Sequence, residues 1–182
     1  MNILVTRHGQ TNWNLENRVQ GRTNINLNET GKKQAEEIRE RINDRKVDVI
    51  FCSTLERAQE TARIINEERN VEIKLDDRII EMCYGELEER KVDECDFDDV
   101  WQINGDKVFE GAEKVEEVYK RVNDFVLYLK TLNYENVLIV THNGVCRVIN
   151  WYFNGAPENN NIRKIGIENC GLMEFEIESL ML

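Results

Sequence analysis

Two short, almost unbroken apolar runs constrain this chain most. Asn2-Ile3-Leu4-Val5-Thr6 leads through Arg7 to His8, and Val137-Leu138-Ile139-Val140-Thr141 leads to His142. These are the only two histidines in the sequence. A strand with one wet face alternates apolar and polar residues, whereas these runs do not. They read as strands covered on both faces, as in a parallel sheet. Each histidine therefore stands where a strand ends and its loop begins, the edge at which open α/β sheets gather ligands. Two imidazoles delivered to that edge can share a pocket, with Arg7 as a fixed cation. The set suits an anionic substrate and proton transfer or nucleophilic attack.

The remaining pattern alternates strands and helices. A polar loop from His8 to about Asn28 precedes a helix predicted over Thr30 to about Asn43, with Ala35, Ile38 and Ile42 on one face. Val47 to Phe51 reads as a buried strand. Ser53-Thr54-Leu55-Glu56 has the spacing of a capping box that opens the next helix. Val71 to Leu75 is a short strand, Ala112 to about Leu132 a long amphipathic helix, Gly144 to Phe153 a helix, and Leu172 to Ile177 a closing strand. The expected fold is α/β, a three-layer α/β/α sandwich around a mainly parallel sheet. With one proline and no low-complexity linker, residues 1–182 are expected to form a single domain. An acidic lid or insertion is expected at about 84–110.

A net charge of −11 argues against a nucleic-acid partner, which needs a basic face. It leaves a small anionic ester open, because the field in a cleft is set locally. No apolar stretch approaches the ~20 residues of a membrane helix. The first strand begins at residue 2, which leaves no room for a signal peptide, so a cytoplasmic location is expected. The five cysteines form no C-x-x-C pair and read as reduced thiols. His142 and Cys146 have H-x-x-x-C spacing without a second ligand pair, so neither a metal nor another cofactor is expected. Oligomeric state is not readable.

Four segments carry the candidate chemistry. In Thr6-Arg7-His8-Gly9-Gln10-Thr11-Asn12-Trp13-Asn14, Arg7 offers a fork of donors that matches phosphate oxygens, and Asn14 can donate to a phosphoryl group. His8 can attack phosphorus as a neutral imidazole. In Cys52-Ser53-Thr54-Leu55-Glu56-Arg57-Ala58, Arg57 on the first helical turn can reach back over the sheet edge, although a pairing with Glu60 is also open. Glu81 in Glu81-Met82-Cys83-Tyr84-Gly85 could serve as general acid and then base. His142, in Thr141-His142-Asn143-Gly144, can donate to a phosphoryl group. Each segment alone also fits an ordinary structural role.

In combination and in this order they resemble the histidine phosphatase superfamily, the phosphoglycerate mutase-like family. The matching residues are Arg7-His8-Gly9-Gln10-Thr11 with Trp13-Asn14, Gln20-Gly21, Leu27 with Gly31 and Gln34-Ala35, Cys52-Ser53 with Leu55, Arg57-Ala58 and Thr61-Ala62, Glu81 with Tyr84-Gly85, and Thr141-His142 with Gly144. The resemblance implies a phosphohistidine mechanism without a metal. His8 would be the nucleophile and Glu81 the acid and base. Arg7, Arg57 and His142 would form the electrostatic pocket, with Asn14, Gln20, Gly21 and Asn143 at the phosphate or substrate.

Within the family the resemblance leans to phosphatases of the α-ribazole phosphatase type. Gln20 precedes Gly21, the chain is short after the Glu81 segment, and Tyr84 to Lys91 follows the phosphatase pattern. The carboxylates from Glu86 to Asp99 would repel a bisphosphate cofactor if they faced the pocket. A cofactor-dependent mutase is the alternative reaction, and a phosphate-binding module without turnover is an alternative of another kind. Three departures from the family pattern stand out: Glu89 replaces a usual Gly, Asn143 a small residue, and Lys114 a common Ser.

Overall fold

In a computed structural model, which describes residues 1–178, the apolar runs become interior strands. The five strands are β1 (Asn2–Arg7), β2 (Val49–Cys52), β3 (Glu72–Leu75), β4 (Asn136–Thr141) and β5 (Leu172–Glu176). They form one sheet in the order β3-β2-β4-β1-β5. The pairs β1/β4, β2/β4 and β2/β3 are parallel, and β5 runs antiparallel to β1 at the edge. The register pairs Arg7 with Thr141 and Cys52 with Val140. That register brings the residues just beyond those strand ends, His8, His142 and Ser53, to one place.

Side chains of a strand alternate between the two faces of its sheet. Ile3, Val5, Phe51, Val137 and Ile139 join one buried cluster, while Leu4, Ile50, Cys52, Leu138 and Val140 join a second. Helices α5 (Val115–Lys130) and α6 (Asn143–Asn154) cover the first face; α2 (Glu29–Arg41) and α3 (Glu56–Asn66) cover the other. Burying each large aliphatic or aromatic side chain stabilises the fold by about 1.5–3 kcal/mol. Phe51 meets Phe125 of α5 edge-on, with ring centroids 5.5 Å apart.

Several predicted boundaries shift for local reasons. Asp48 is not in β2, because its carboxylate accepts from the backbone N–H groups of Glu135 and Asn136 at 2.9 and 2.8 Å. The long helix starts at Val115 rather than Ala112, because Ala112 bridges to Tyr84 instead. The loop after His8 contains a short helix, α1 (Asn12–Leu15), capped by Thr11. The capping box predicted at Ser53–Glu56 does not form. Helix α3 begins at Glu56, and its first N–H donates to Asn24 Oδ1 at 3.0 Å.

The acidic segment is anchored. Its single-turn helices at Gly85–Leu87 and Val92–Glu94, followed by α4 (Phe97–Val100), bury Leu87, Phe97, Val100 and Trp101. Backbone bridges tie Arg18 to Lys91 and Gln102 to Asn161. The segment thus lies beside the carboxyl edge of the sheet. No helix among the described residues is long and apolar enough to cross a membrane.

Candidate active site

The cleft at the carboxyl edge has a volume of about 330 Å³. Of the residues singled out in the sequence, Arg7, His8, Asn14, Gln20, Gly21, Arg57, Glu81 and Asn143 line it. His142 is fully buried and does not line the cleft. Its ring stands behind His8, with centroids 5.2 Å apart.

The hydrogen bonds of His8 assign its protons. Nδ1 lies 2.7 Å from the Gly9 carbonyl oxygen, which can only accept, so Nδ1 carries the hydrogen. Nε2 is left with its lone pair, toward which Arg57 Nε donates over a long 3.3 Å. Burial, and then the charges of Arg57 and Arg7, hold His8 well below the ordinary histidine value. The ring is therefore neutral near pH 7. His142 is depressed in the same way by burial, Arg57, His8 and Arg7.

Arg57 does not take the local pairing with Glu60. Its Nη1 donates to the Thr23 carbonyl at 2.9 Å and its Nη2 to the Gly21 carbonyl at 2.7 Å. Burial lowers it to about 10, which keeps it charged at neutral pH. Gly21 has φ +51° and leaves space for the Glu88 carboxylate, since a Cβ there would fall 2.0 Å from Glu88 Oε1. That carboxylate accepts from the N–H groups of Arg22, Thr23 and Tyr84 and from the Thr23 hydroxyl, at 2.9–3.2 Å. Glu88 thus shapes the loop whose carbonyls hold Arg57.

Glu81 hangs its carboxylate between two backbone donors, Met82 N at 2.8 Å and Gly144 N at 3.3 Å. A side chain at residue 144 would collide with it, its Cβ falling 2.3 Å from Glu81 Oε1. Asn14 Oδ1 accepts from Thr11 N at 3.1 Å and from Asn169 Nδ2 at 3.3 Å, so the Asn14 amide N–H groups remain for the cleft. Gln20 Oε1 lies 3.1 Å from the Thr11 hydroxyl. Asn143 Oδ1 accepts from Ile167 N at 3.0 Å, which fixes the loop before β5. Arg7 Nη1 donates to the Ile167 carbonyl at 3.1 Å, and its buried Nε has no protein partner.

Four residues of this architecture have no site role assigned from the sequence, although Ser53 and Thr61 stand in the matching segments. Ser53, read as a helix cap, bonds His142 instead. Thr61 accepts from Gly9 N at 3.0 Å and donates to the Arg57 carbonyl at 2.7 Å. Asn169 donates to the His8 carbonyl at 3.0 Å. Arg147 lines the cleft one turn along α6, a position legible from its i+3 spacing to Gly144. Asn169 lies in a loop with no local signal.

The acidic segment contributes Tyr84, Val92 and Phe97 to the cleft wall and none of its carboxylates. Asp96 and Asp99 pair with Lys107, Asp98 with Arg163, and Glu88 binds backbone. The repulsion expected from this segment is therefore absent from the pocket. Among the described residues no group of three or more His, Cys, Asp or Glu is placed to hold a metal. Arg7, Arg57 and His142 stand around His8, and Glu81 is the one carboxylate among the residues that line the cleft, an arrangement suited to phosphoryl transfer.

The sequence pattern of the histidine phosphatase superfamily (branch 1) matches residues 3–180. The chain is 31% identical to a putative phosphoserine phosphatase 2 of Hydrogenobacter thermophilus over 182 residues, covering 97% of this chain and 89% of that protein. It is 30% identical to a probable phosphoglycerate mutase, GpmB, of Enterobacter sp. (strain 638) over 185 residues, covering 98% and 86%. The solved α-ribazole phosphatase of Shigella flexneri superposes with a TM-score of 0.84 at 26% identity, covering 98% of this chain and 91% of that one.

Proposed function

The chain belongs to the histidine phosphatase superfamily, and on that premise we propose that it hydrolyses a small phosphomonoester through a phosphohistidine on His8. The observation that carries this reading is the proton arrangement of His8. Its Nδ1–H is fixed on Gly9, and its Nε2 lone pair sits at the cleft between two arginines. A neutral imidazole held this way needs no base to become a nucleophile.

In the first step Nε2 forms a bond to phosphorus and the bond from phosphorus to the ester oxygen breaks. Glu81, protonated, gives its proton to that departing oxygen. Arg7, Arg57 and the Asn14 amide stabilise the three equatorial oxygens, and His142 donates from below. In the second step water attacks phosphorus, Glu81 takes its proton, and the phosphorus–nitrogen bond breaks to restore neutral His8.

Hydrolysis is favoured over a mutase cycle. A mutase must hold a second phosphate, and the rim arginines Arg18 and Arg163 are already paired with Glu16 and Asp98. The phosphorylated partner is a small molecule, with no nucleic acid or membrane involved, and the setting is cytoplasmic. One domain, covered by residues 84–110, does this work. The α-ribazole ester is one candidate, suggested by the likeness to the Shigella enzyme.

The test is phosphate release in EDTA from p-nitrophenyl phosphate, α-ribazole phosphate, 3-phosphoglycerate and fructose 2,6-bisphosphate, with rapid quenching to trap phosphorylated protein. Release with the label on His8, abolished in His8→Ala, is expected. Near wild-type turnover in His8→Ala would remove the nucleophile.

A further inference from the structure

The backbone that carries Glu81 has no regular secondary structure from Glu81 to Cys83. A helix or a strand ladder would fix its path; here side chains from elsewhere do so. Arg121 of α5 donates through Nη1 to the Arg78 carbonyl at 2.8 Å, and the Thr141 hydroxyl donates to the Ile79 carbonyl at 2.7 Å. Those bonds hold the approach to Glu81. Beyond Glu81 one carboxylate, that of Glu113, takes over. Its Oε2 accepts from Cys83 N at 2.8 Å, and the Glu113 N–H donates to the Cys83 carbonyl at 2.9 Å.

The same carboxylate joins two arginines. Arg121 meets it as a fork, Nε to Oε1 at 3.2 Å and Nη2 to Oε2 at 3.3 Å. Arg22 Nη2 lies 3.0 Å from Oε1. Arg22 stands between Gly21 and Thr23, whose carbonyls hold Arg57. Its Nε also donates, over a long 3.3 Å, to the Glu81 carbonyl. A pairing of Glu113 with Arg121 alone would be an ordinary helix anchor. The further bonds to Cys83, two residues from Glu81, and to Arg22, one residue from Gly21, set Glu113 apart. They tie the loop behind the phosphoryl pocket to the segment of the acid, and both to α5. The Glu113 and Arg121 side chains are only 19% and 16% exposed, so salt screens them less than a rim pair. Glu113 does not line the cleft.

We propose that Glu113 is a positioning residue: through Cys83 and Arg22 it sets where the Glu81 carboxyl stands relative to the phosphoryl group held by Arg57. This rests on the phosphatase reading above and deepens it. A general acid must lie within hydrogen-bond reach of the oxygen it protonates, and a misplacement of about 1 Å costs up to about 10²-fold in rate. Loss of the link should therefore slow protonation of the departing oxygen and spare the grip of Arg7, Arg57 and Asn14 on the phosphoryl group.

The test measures release of the phenol in the first turnover, which reads the first step alone. Two esters are compared. The basic phenoxide of phenyl phosphate needs a proton to depart, whereas that of 2,4-dinitrophenyl phosphate departs without one. In Glu113→Gln, and separately in Arg22→Gln, the rate with phenyl phosphate should fall about tenfold or more, and the rate with the dinitrophenyl ester less than about twofold. Arg22 is 41% exposed, so its variant reads the link even if Glu113→Gln fails to fold. The double variant should lose no more than Glu113→Gln alone, because both substitutions cut one link. Equal losses on the two esters would show a general distortion and overturn the positioning role. Unchanged rates, or losses that multiply in the double variant, would overturn it as well. Each of these leaves the phosphatase reading intact. A wild type that releases phenol from neither ester would instead remove that reading, and this role with it.

Discussion

His142 Nε2 lies 2.7 Å from the Ser53 hydroxyl, a contact that holds the second histidine ring behind the first. Leu55 N donates to Ser53 Oγ over a long 3.4 Å, so the hydroxyl hydrogen is free to point at His142. With the hydroxyl donating, Nε2 accepts and Nδ1, which has no protein partner, carries the hydrogen, the tautomer that the proposed role of His142 as a donor requires. Ser53→Ala should release the ring to the other tautomer. We expect kcat to fall about tenfold, an effect of ~1.4 kcal/mol, with little change in KM. Steady-state rates against p-nitrophenyl phosphate check this, and an unchanged kcat would refute the role of Ser53.

Both histidines are held neutral by burial and by neighbouring arginines, so their folded values lie below the unfolded 6.5. The unfolded chain therefore binds more protons below pH 6.5. Stability is full above that pH and declines as pH falls toward the folded values, by up to about 1.4 kcal/mol per pH unit for each histidine. The acidic limb of kcat/KM should likewise lie below pH 6.5, because the nucleophile stays unprotonated there. Urea unfolding at pH 5 and pH 7, with a pH–rate profile, tests both.

Glu81→Gln keeps an acceptor for one of the two backbone N–H groups, Met82 N or Gly144 N, loses the other bond, and removes the transferable proton. Turnover of alkyl esters should drop by about 10²- to 10⁴-fold. Esters of acidic phenols need no protonation on departure and should lose far less. Equal losses across a series of leaving groups would assign the acid elsewhere.

Glu88 binds three backbone N–H groups and one hydroxyl, and through that loop it positions the carbonyls that hold Arg57. Glu88→Ala should cost about 1.5–3 kcal/mol for the charge-assisted bonds and lower kcat/KM at least tenfold. Chemical denaturation and kinetics on the same variant separate the two effects.

Two departures from the family pattern are structurally expensive. Glu89 holds φ +69°, in the region that favours glycine. Lys114 stands at the N-cap of α5 with extended backbone and no side-chain acceptor for the helix N–H groups. Glu89→Gly and Lys114→Ser should each raise stability by about 0.5–1 kcal/mol. Thermal melts should show additive gains, since the sites share no partner.

The sequence by itself determined the strands, the covered sheet and the placing of His8 and His142 at its carboxyl edge. A run such as Val137–Val140 has no polar face to leave wet, so its burial does not depend on what surrounds it. The family motifs added Arg7, Arg57 and Glu81 to the same edge, where the structure gathers them. Only the tertiary structure decided how these groups are held. Ser53 has the spacing of a cap and serves His142, because the register of β2 against β4 brings the two together. Glu88 sits among carboxylates that face away from the cleft, yet it orders the Gly21 loop from 67 residues further along. Arg147 stacks on Trp101 and donates to the Arg163 carbonyl, with no acidic partner among the described residues. A partner distant in sequence leaves no periodicity behind, so tautomers, loop anchors and an unpaired cation follow from packing alone.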